Sequence, residues 1–180
     1  MVCRFLLISG SLRAGSTNSA VLRTAREVAP DGVEAVLYQR LGDLPHFNPD
    51  LESAALDPIV GELRAAIHSA TALVFSTPEY AGALPGSFKN LLDWTIGDAE
   101  RGSIYEKPVA WVNASARGAP HAHEELRRVL DYAHAAIVEP ACVDVGVTEP
   151  MIGPAGLVED PTVRGRLARA MGALAEHVGC

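Results

Sequence analysis

The sequence predicts a doubly wound α/β fold, in which helices cover both faces of a five-stranded parallel sheet. Two observations support this prediction. Short apolar runs, typical of strands buried on both faces, alternate with segments whose apolar residues recur at helical spacing. Parallel neighbours need crossover connections, and these are right-handed, so the alternation places helices on both sides of one sheet. We expect residues 1–180 to form a single domain, because 180 residues leave no room for a second.

The predicted strands and helices follow one another in strict order. Five apolar runs predict strands at residues 2–9, 33–38, 72–77, 108–114 and 136–145. The first helix is predicted over residues 18–29, and Pro85 suits the first turn of the third. The other helices are marked by apolar residues at helical spacing: Ile59, Val60, Leu63 and Ile67; Phe88, Leu91 and Leu92; Leu126, Val129 and Leu130; Val163, Leu167, Met171 and Leu174.

Composition and charge exclude several classes of function. The chain is 48% apolar and 21% charged, as in globular proteins. Its net charge of −7 comes without basic clusters, so we expect no nucleic-acid partner. No apolar run approaches the roughly 20 residues that span a bilayer, and the first run is too short for a signal-peptide core. We therefore expect no membrane partner and a cytoplasmic location.

The cysteine and histidine residues predict no metal site. Cys3, Cys142 and Cys180 lack metal-type spacing, and we expect Cys3 and Cys142 to be buried thiols and Cys180 an exposed one. His121 and His123 lie two apart near a helix start, where they do not share a face. We expect them at the surface or at the edge of a pocket.

In a doubly wound sheet, ligands bind beyond the carboxyl ends of the strands, near the point where the strand order reverses. The loops after the first, third and fourth predicted strands should therefore share one crevice. All three have unusual sequences. Residues 39–56 form a further candidate functional loop, because this irregular segment is longer than a normal connection.

The first of these loops, G-S-L-R-A-G-S-T-N, predicts an anion site at residues 10–18. It joins a buried strand to a helix start, where free backbone N–H groups and the helix dipole favour an anion. Further donors come from the side chains of Ser11, Arg13, Ser16, Thr17, Asn18 and Ser19.

The details of this loop favour a monophosphate. Gly10 and Gly15 have the spacing of a P-loop, but the lysine that serves a triphosphate is replaced by Ser16. The dinucleotide fingerprint is also absent, because Leu12 stands where its second glycine should be. A terminal monophosphate such as that of FMN remains. The alternative is that Ser16, Thr17 and Asn18 merely cap the helix.

The second and third loops predict room for a flat heterocycle. Pro78, Gly82, Pro85 and Gly86 fix or permit turns that bring backbone groups close to the edge of a ring. Tyr80 could pack against that ring. The third loop, residues 114–120, offers backbone and hydroxyl donors to complete the pocket. The alternative for each loop is an ordinary turn between a strand and a helix.

These motifs together resemble the NADPH-dependent FMN reductase family, a flavodoxin-like group that includes bacterial quinone, chromate and azo-dye reductases. The matching segments are I-S-G-S-L-R-A-G-S-T-N, D-L-P-H-F-N-P-D-L-E and T-P-E-Y-A-G-A-L-P-G-S-F-K-N-L-L-D-W. The resemblance implies a phosphate site at Ser11, Arg13, Ser16, Thr17 and Asn18. It implies an isoalloxazine site bordered by Pro78, Glu79, Tyr80 and Ala81, with Ser115 and Gly118 finishing the pocket. The family commonly has Asn where this chain has Ala81.

The resemblance also implies an activity. We expect NADPH or NADH to deliver hydride to FMN, and a quinone, azo dye, chromate or free flavin to accept the electrons in ping-pong turnover. No acid-base residue is expected, since the flavin carries the chemistry. A homodimer or homotetramer is expected, with residues 88–94 and the long loop as its surface. The alternatives are a flavodoxin-type electron carrier that does not oxidise NAD(P)H and a flavin-free binding protein.

Overall fold

A parallel sheet forms the centre of the molecule, which is a computed structural model describing residues 2–52, 56–98, 100 and 102–180. Within these ranges the sheet has six strands in the order β2-β1-β3-β4-β5, and β6 also pairs with β4. The strands are β1 Cys3–Ser9, β2 Val33–Tyr38, β3 Ala72–Ser76, β4 Pro108–Ser115, β5 Ala136–Ile137 and β6 Val143–Val147. The order reverses between β1 and β3, which makes their carboxyl ends the topological switch point.

Helices cover both faces of this sheet. They are α1 Thr17–Glu27, α2 Pro58–Ser69, α3 Gly86–Ile96, α4 Pro120–Tyr132 and α5 Pro161–Val178. Along β1, Phe5 and Leu7 pack with α1 and α5, whereas Leu6 and Ile8 pack with α2, α3 and α4. This alternation is the two-residue period of a strand buried on both faces. Among the described residues, no helix is long and apolar enough to cross a bilayer.

The predicted fold class is confirmed, with one difference in the last strand. Residues 136–145 were expected to form one strand, but a 3-10 turn at Glu139–Ala141 divides it into β5 and β6. Both pieces pair with β4, one at its start and one at its end. Pro140 lies in the turn, and since proline has no N–H to donate to a ladder, the strand breaks there.

The cysteine prediction is wrong for two of the three residues. Cys3 and Cys180 form a disulfide, with their Cα atoms 5.9 Å apart, whereas Cys142 is a free thiol as expected, although it is half-buried and not fully buried. Helix α5 ends at Gly179, whose left-handed backbone (φ 76°) lets the chain turn. This turn brings Cys180 beside the start of β1. Residues 177 apart in sequence thus meet through the tertiary fold, which the spacing of the cysteines does not indicate.

Candidate functional site

A cleft of about 520 Å³ opens at the switch point, where the loops after β1, β3 and β4 converge. Its volume lies within the range of small-molecule sites. The structure brings together most of the residues predicted from the sequence. The cleft is lined by Ser11, Arg13, Ser16, Thr17 and Asn18 from the first loop, Pro78, Glu79 and Tyr80 from the second, and Ser115, Arg117, Ala119 and Pro120 from the third. Ser19, Ala81 and Gly118 do not line it.

The first loop fits tightly between strand and helix. The N–H of Gly10 donates to the carbonyl of Ser76 at 2.8 Å, which holds the loop against β3. A Cβ at position 10 would lie 2.7 Å from the Thr77 hydroxyl and 2.9 Å from the Phe88 ring. Any larger residue would clash with these two groups. Glycine at position 10 therefore allows the loop to leave β1 close to Thr77 and Phe88.

Helix α1 begins without a side-chain cap. Ser16 has extended backbone at the N-cap position, and its hydroxyl makes no capping hydrogen bond. By contrast, Asp57 and Asp160 cap α2 and α5 with their carboxylates. The structure therefore does not support the alternative that Ser16 merely caps its helix. Ser16, Thr17 and Asn18 at the start of α1 line the cleft together with Arg13, and the free N–H groups of a first helical turn favour an anion.

Asn18 and Ser19 join this helix to the sheet. The Ser76 hydroxyl lies 3.0 Å from Asn18 Oδ1 and 2.7 Å from the Val112 carbonyl oxygen, so buried Asn18 links α1 to β3 and β4. The Ser19 hydroxyl lies 3.0 Å from that of Ser9. This contact turns Ser19 away from the cleft, contrary to its predicted place beside the phosphate.

The second loop contains a tight turn beside the cleft. Backbone hydrogen bonds join Tyr80 and Ala83 in both directions, and the residues between them, Ala81 and Gly82, have φ of 51° and 73°. Two positive φ angles in a two-residue connection define a type I′ turn. The turn leaves Tyr80 47% exposed at the cleft and directs Ala81 into solvent. Ala81 was predicted to border the ring but lies just outside the lining.

The loop after β3 is fastened to α4 by two carboxylates. Glu79 Oε2 accepts hydrogen bonds from the backbone N–H groups of His121 and Ala122, at 2.9 and 3.1 Å. In return, Glu125 Oε2 accepts from the N–H of Leu84 at 2.7 Å. Glu79 thus lines the cleft as predicted, but its charge stabilises the N-terminus of α4.

The third loop is shaped by Asn113, which the sequence prediction missed. Its Nδ2 donates to the Gly118 carbonyl at 2.5 Å, and its Oδ1 accepts from the N–H of Ser115 at 3.0 Å. Gly118 and Ala119 both have positive φ, which places Ala119 and Pro120 in the wall of the cleft. The sequence contained a signal for Asn113, because an amide side chain near the end of an apolar strand must find hydrogen-bond partners if it is buried. In the structure Asn113 is buried.

Arg117 is the second residue that the prediction missed. It lines the cleft opposite the first loop and adds a cation to that of Arg13. The sequence contained a signal for Arg117. The residue lies in the short loop after β4, and loops beyond the carboxyl ends of the strands near the switch point form the ligand site. The two histidines of α4 lie outside the lining: His121 is exposed, and His123 Nδ1 lies 2.9 Å from the Ala119 carbonyl. Among the described residues, no three metal-ligating side chains are grouped.

The long segment after β2 is held against α3. Asn90 Oδ1 accepts from the Phe47 N–H at 2.7 Å, and its Nδ2 donates to the Pro45 carbonyl at 2.9 Å. Trp94 Nε1 donates to the same carbonyl at 2.8 Å, and its ring meets that of Phe47 edge to face. We call residues 45–47, which these hydrogen bonds hold against α3, the strap. His46 within the strap is exposed. Residues 53–55 of the predicted loop lie outside the described residues.

The residues present in the cleft fit FMN. Hydroxyls, a guanidinium and the uncapped start of α1 gather at one end, as a phosphate requires. From the second and third loops, Pro78, Tyr80 and Pro120 offer flat or apolar surface to a ring, beside the polar Glu79, Ser115 and Arg117.

Comparison with known proteins identifies relatives among flavin-dependent and quinone reductases. The NAD(P)H-dependent FMN reductase of Pseudomonas aeruginosa is 39% identical over 129 residues, which cover 71% of this chain and 69% of that protein. The quinone reductase of Escherichia coli K12 is 30% identical over 148 residues, which cover 81% of this chain and 78% of that protein.

A solved structure matches nearly the whole chain. FerB, a flavoenzyme NAD(P)H:(acceptor) oxidoreductase from Paracoccus denitrificans, superposes with a TM-score of 0.78 at 26% identity, covering 98% of this chain and 99% of FerB. The sequence model described as NADPH-dependent FMN reductase matches residues 3–148. The chain belongs to the NADPH-dependent FMN reductase family.

Proposed function

We propose that this protein reduces small oxidised acceptors with electrons from NADPH or NADH, using FMN held in the cleft at the switch point. Family membership makes the protein an FMN-dependent NAD(P)H oxidoreductase. When bound, FMN supplies the redox chemistry by accepting hydride from the nicotinamide and passing electrons on. The observation that carries the proposal is the cleft itself, where the donors of the first loop adjoin the flat surfaces of Pro78, Tyr80 and Pro120.

The phosphate of FMN is assigned to the end formed by α1 and the loop before it. Ser11, Ser16 and Thr17 offer hydroxyls, Arg13 offers a charge, and the first-turn N–H groups of α1 offer further donors. The side chain of Asn18 is already held by Ser76. We therefore propose that Asn18 mainly positions the start of α1, so that its N–H groups point at the phosphate.

The isoalloxazine ring is assigned to the end bordered by Pro78, Glu79, Tyr80 and Ser115. The Glu79 carboxylate is engaged with α4, so this residue borders the ring and fixes the wall between the second and third loops. Ala81 and Gly118 are proposed to shape the turns that frame the ring. Ser19 is withdrawn from the phosphate site, because its hydroxyl faces Ser9.

Electron donor and acceptor are proposed to use the same open side of this cleft in turn, which gives ping-pong kinetics. A quinone-type acceptor is supported by the relationship to the quinone reductase of Escherichia coli. Azo dyes, chromate and free flavin are further acceptors to test. Parallel lines in double-reciprocal plots at several quinone concentrations are the expected result. Intersecting lines would contradict alternating occupation of one site.

The first experiment tests where FMN binds. Replacing Arg13 by alanine should weaken FMN by about 1.5–3 kcal/mol, because a charge-assisted hydrogen bond is lost. Affinity is measured by quenching of flavin fluorescence on titration of the apoprotein. Arg26→Ala is the matched control, since Arg26 is exposed on α1 and does not line the cleft. Equal affinity of both variants would remove Arg13 from the site.

The second experiment separates a reductase from an electron carrier. FMN-loaded protein is mixed anaerobically with NADPH or NADH, and flavin bleaching is followed at its visible absorption band. Reoxidation is then followed with quinones, azo dyes and chromate. Rapid bleaching and reoxidation are expected. A protein that binds FMN but is not bleached by either nucleotide would be a flavodoxin-type carrier. A protein that takes up no FMN would be neither a reductase of this kind nor such a carrier.

We also propose that the protein forms a homodimer or homotetramer. Of the surface expected from the sequence, Phe88, Leu91, Leu92 and Trp94 are fully buried within the core, whereas Lys89 and Asp93 line a groove with Phe47 of the long loop. Two exposed apolar residues of the same groove support association there: Ile96 and Tyr132, 39% and 75% exposed. Sedimentation at micromolar concentration tests this, and a monomer would contradict it.

A further inference from the structure

Arg117 is a cation of the cleft at the switch point, which we call the FMN cleft, and the contacts proposed above leave it unused. The described residues that line the cleft include three charged side chains, those of Arg13, Glu79 and Arg117. Arg13 is assigned to the FMN phosphate, and the Glu79 carboxylate is engaged with the start of α4. The charge of Arg117 has no such assignment.

No carboxylate neutralises Arg117. Its guanidinium forms neither a salt bridge nor a hydrogen bond with any described residue. The positions outside the described ranges, which are 1, 53–55, 99 and 101, carry no Asp or Glu. Arg127 on α4 differs, because Glu139 accepts two hydrogen bonds from its guanidinium. Arg117 therefore offers an unbalanced positive charge to a molecule in the cleft.

The third loop holds Arg117 through its backbone. The Arg117 N–H donates to the Ser115 hydroxyl at 3.2 Å, and the Gly118 N–H donates to the Ser115 carbonyl at 3.1 Å. Asn113 Nδ2 in turn donates to the Gly118 carbonyl. None of these bonds uses the side chain of Arg117. The arginine therefore starts from a fixed position beside Ser115, and its side chain can be replaced without opening the loop.

The ring of FMN changes its charge when it is reduced. The oxidised isoalloxazine is neutral, whereas the uptake of two electrons and one proton leaves a negative charge around its N1 atom. A cation near that atom favours the reduced form, just as an opposite charge favours the ionised form of an acid. Ser115 borders the proposed ring site, so a cation two positions further along the same loop lies on the side of the ring.

We propose that Arg117 stabilises the negative charge of the reduced FMN ring and thereby raises the reduction potential of the bound flavin. This inference rests on the proposed function, because it needs FMN in the cleft with its ring beside Ser115. A higher potential makes hydride transfer from the nicotinamide more favourable and makes the reduced flavin a weaker reductant. Arg117 thus biases the enzyme towards acceptors that are themselves strong oxidants.

The other charged groups around the cleft do not supply the same effect. Arg13 lies in the first loop, where the phosphate dianion of FMN balances its charge. Glu79 is negative and opposes reduction of the ring, but the N–H groups at the start of α4 stabilise its carboxylate. His121, in the first turn of α4, is exposed and lies outside the lining. Arg117 is therefore the group to change in a test.

The test is the reduction potential of the FMN-loaded protein as a function of pH, measured by anaerobic equilibration with redox dyes. Well above the pH at which N1 of the reduced ring loses its proton, Arg117→Gln should lower the potential by about 20–30 mV. This shift corresponds to a loss of about fivefold to tenfold in the preference for reduced FMN, the scale of one charge screened by water. Well below that pH the reduced ring is neutral, and the potentials of variant and wild type should agree.

Two further variants show whether the charge itself is responsible. Arg117→Lys keeps a cation on the third loop and should retain most of the wild-type potential. Arg26→Gln removes an exposed arginine from α1, outside the cleft lining, and should behave as the wild type at every pH. A potential that Arg117→Gln leaves unchanged would overturn the inference. A shift of equal size at low and high pH would also overturn it, because a general change of structure does not follow the charge of the ring.

Affinities for oxidised and reduced FMN separate a ring contact from a phosphate contact. Arg117→Gln should weaken reduced FMN about fivefold to tenfold more than oxidised FMN. Equal weakening of both states would assign Arg117 to the phosphate and overturn the inference.

These equilibrium measurements involve no turnover, so the inference and the proposed function fail separately. A protein that shows the expected shift but is reduced by neither NADPH nor NADH keeps the role of Arg117 and refutes the proposed activity. A protein that oxidises NADPH or NADH with a potential independent of Arg117 refutes this inference alone. A protein that takes up no FMN refutes both.

Discussion

The Glu79 carboxylate accepts a hydrogen bond from the backbone N–H of His121, 42 residues further along the chain. This bond, with the one to Ala122, caps α4 from a different loop and holds two walls of the FMN cleft at a fixed separation. A cap from the residue directly before a helix stabilises only that helix. Because Glu79 caps α4 from another loop of the cleft, the shape of the cleft also depends on the stability of α4.

Replacing Glu79 by alanine is expected to lower the free energy of unfolding by about 1–2 kcal/mol, because two N–H groups at a helix start lose their acceptor. FMN affinity should fall as well, since Pro78 and Tyr80 are no longer fixed against α4. Urea unfolding and flavin titration measure the two effects. Glu124→Ala is the control: Glu124 pairs with Arg128 at 3.6 Å in solvent, and its loss should cost less than about 0.5 kcal/mol. Equal stability of the two variants would show that the cap contributes nothing.

The turn after Tyr80 carries strain at Ala81. A residue with a Cβ is disfavoured at φ of 51°, whereas glycine and asparagine adopt it readily. Ala81→Gly and Ala81→Asn should therefore each stabilise the protein by about 0.5–1 kcal/mol, seen as a higher midpoint of thermal unfolding. Ala83→Gly provides the control, because Ala83 has no positive φ and the change should destabilise by a similar amount. A lower midpoint for both Ala81 variants would show that the turn is unstrained.

The sequence could predict the fold because strand and helix periodicities are local signals. Residues 33–38 were predicted as a strand to the residue, and the first helix, predicted over residues 18–29, spans Thr17–Glu27. The three loops of the cleft were also predictable, since the carboxyl ends of neighbouring parallel strands must converge. The break at Pro140 was visible in the sequence, because a proline within an apolar run marks a strand that cannot continue.

The interactions that the sequence did not reveal are those between distant positions. Nothing near Glu79 indicates that its carboxylate points to α4, and nothing near Asn90 indicates that its amide holds Pro45 and Phe47. Likewise, Cys3 and Cys180 meet only because β1 and α5 contribute to the same hydrophobic cluster. Each case depends on where two helices or strands pack, which the hydrophobic pattern of either segment alone does not specify.

Asn90 is expected to anchor the strap at Pro45 and Phe47. Asn90→Leu leaves the Phe47 N–H without its acceptor and the Pro45 carbonyl with Trp94 alone, so stability should fall by about 1–3 kcal/mol. Limited proteolysis should then cut near residues 45–47 faster than in the wild-type protein. The control is Asp93→Ala on the same helix, which removes only a solvent-accessible pair with Lys89 and should have little effect. Unchanged proteolysis of the Asn90 variant would mean that the strap is held elsewhere.

Cys142 should react slowly with alkylating reagents. Burial raises the pKa of its thiol to about 11, and the thiolate is the nucleophile. At pH 8, three units lower, about one thiol in a thousand is ionised. Alkylation by iodoacetamide, followed by mass spectrometry, should therefore be slow at pH 8 and accelerate as the pH approaches 11, whereas urea-unfolded protein should react fast already at pH 8–9. Equally fast reaction of folded and unfolded protein at pH 8 would contradict a buried thiol.

Breaking the disulfide between Cys3 and Cys180 should lower stability, because it releases the end of α5 from the start of β1. In the chain-entropy model, a loop of this length is worth up to about 5 kcal/mol, and fraying at the chain ends reduces that amount. Thermal unfolding of Cys180→Ser should therefore show a lower midpoint than the oxidised wild type, and dithiothreitol should lower the wild-type midpoint to that of the variant. Cys142→Ser is the control, whose midpoint should still respond to dithiothreitol. A wild-type midpoint that does not change on reduction would show that the bond does not stabilise the fold. If the midpoint changes only in proteins that keep both Cys3 and Cys180, the effect belongs to this pair.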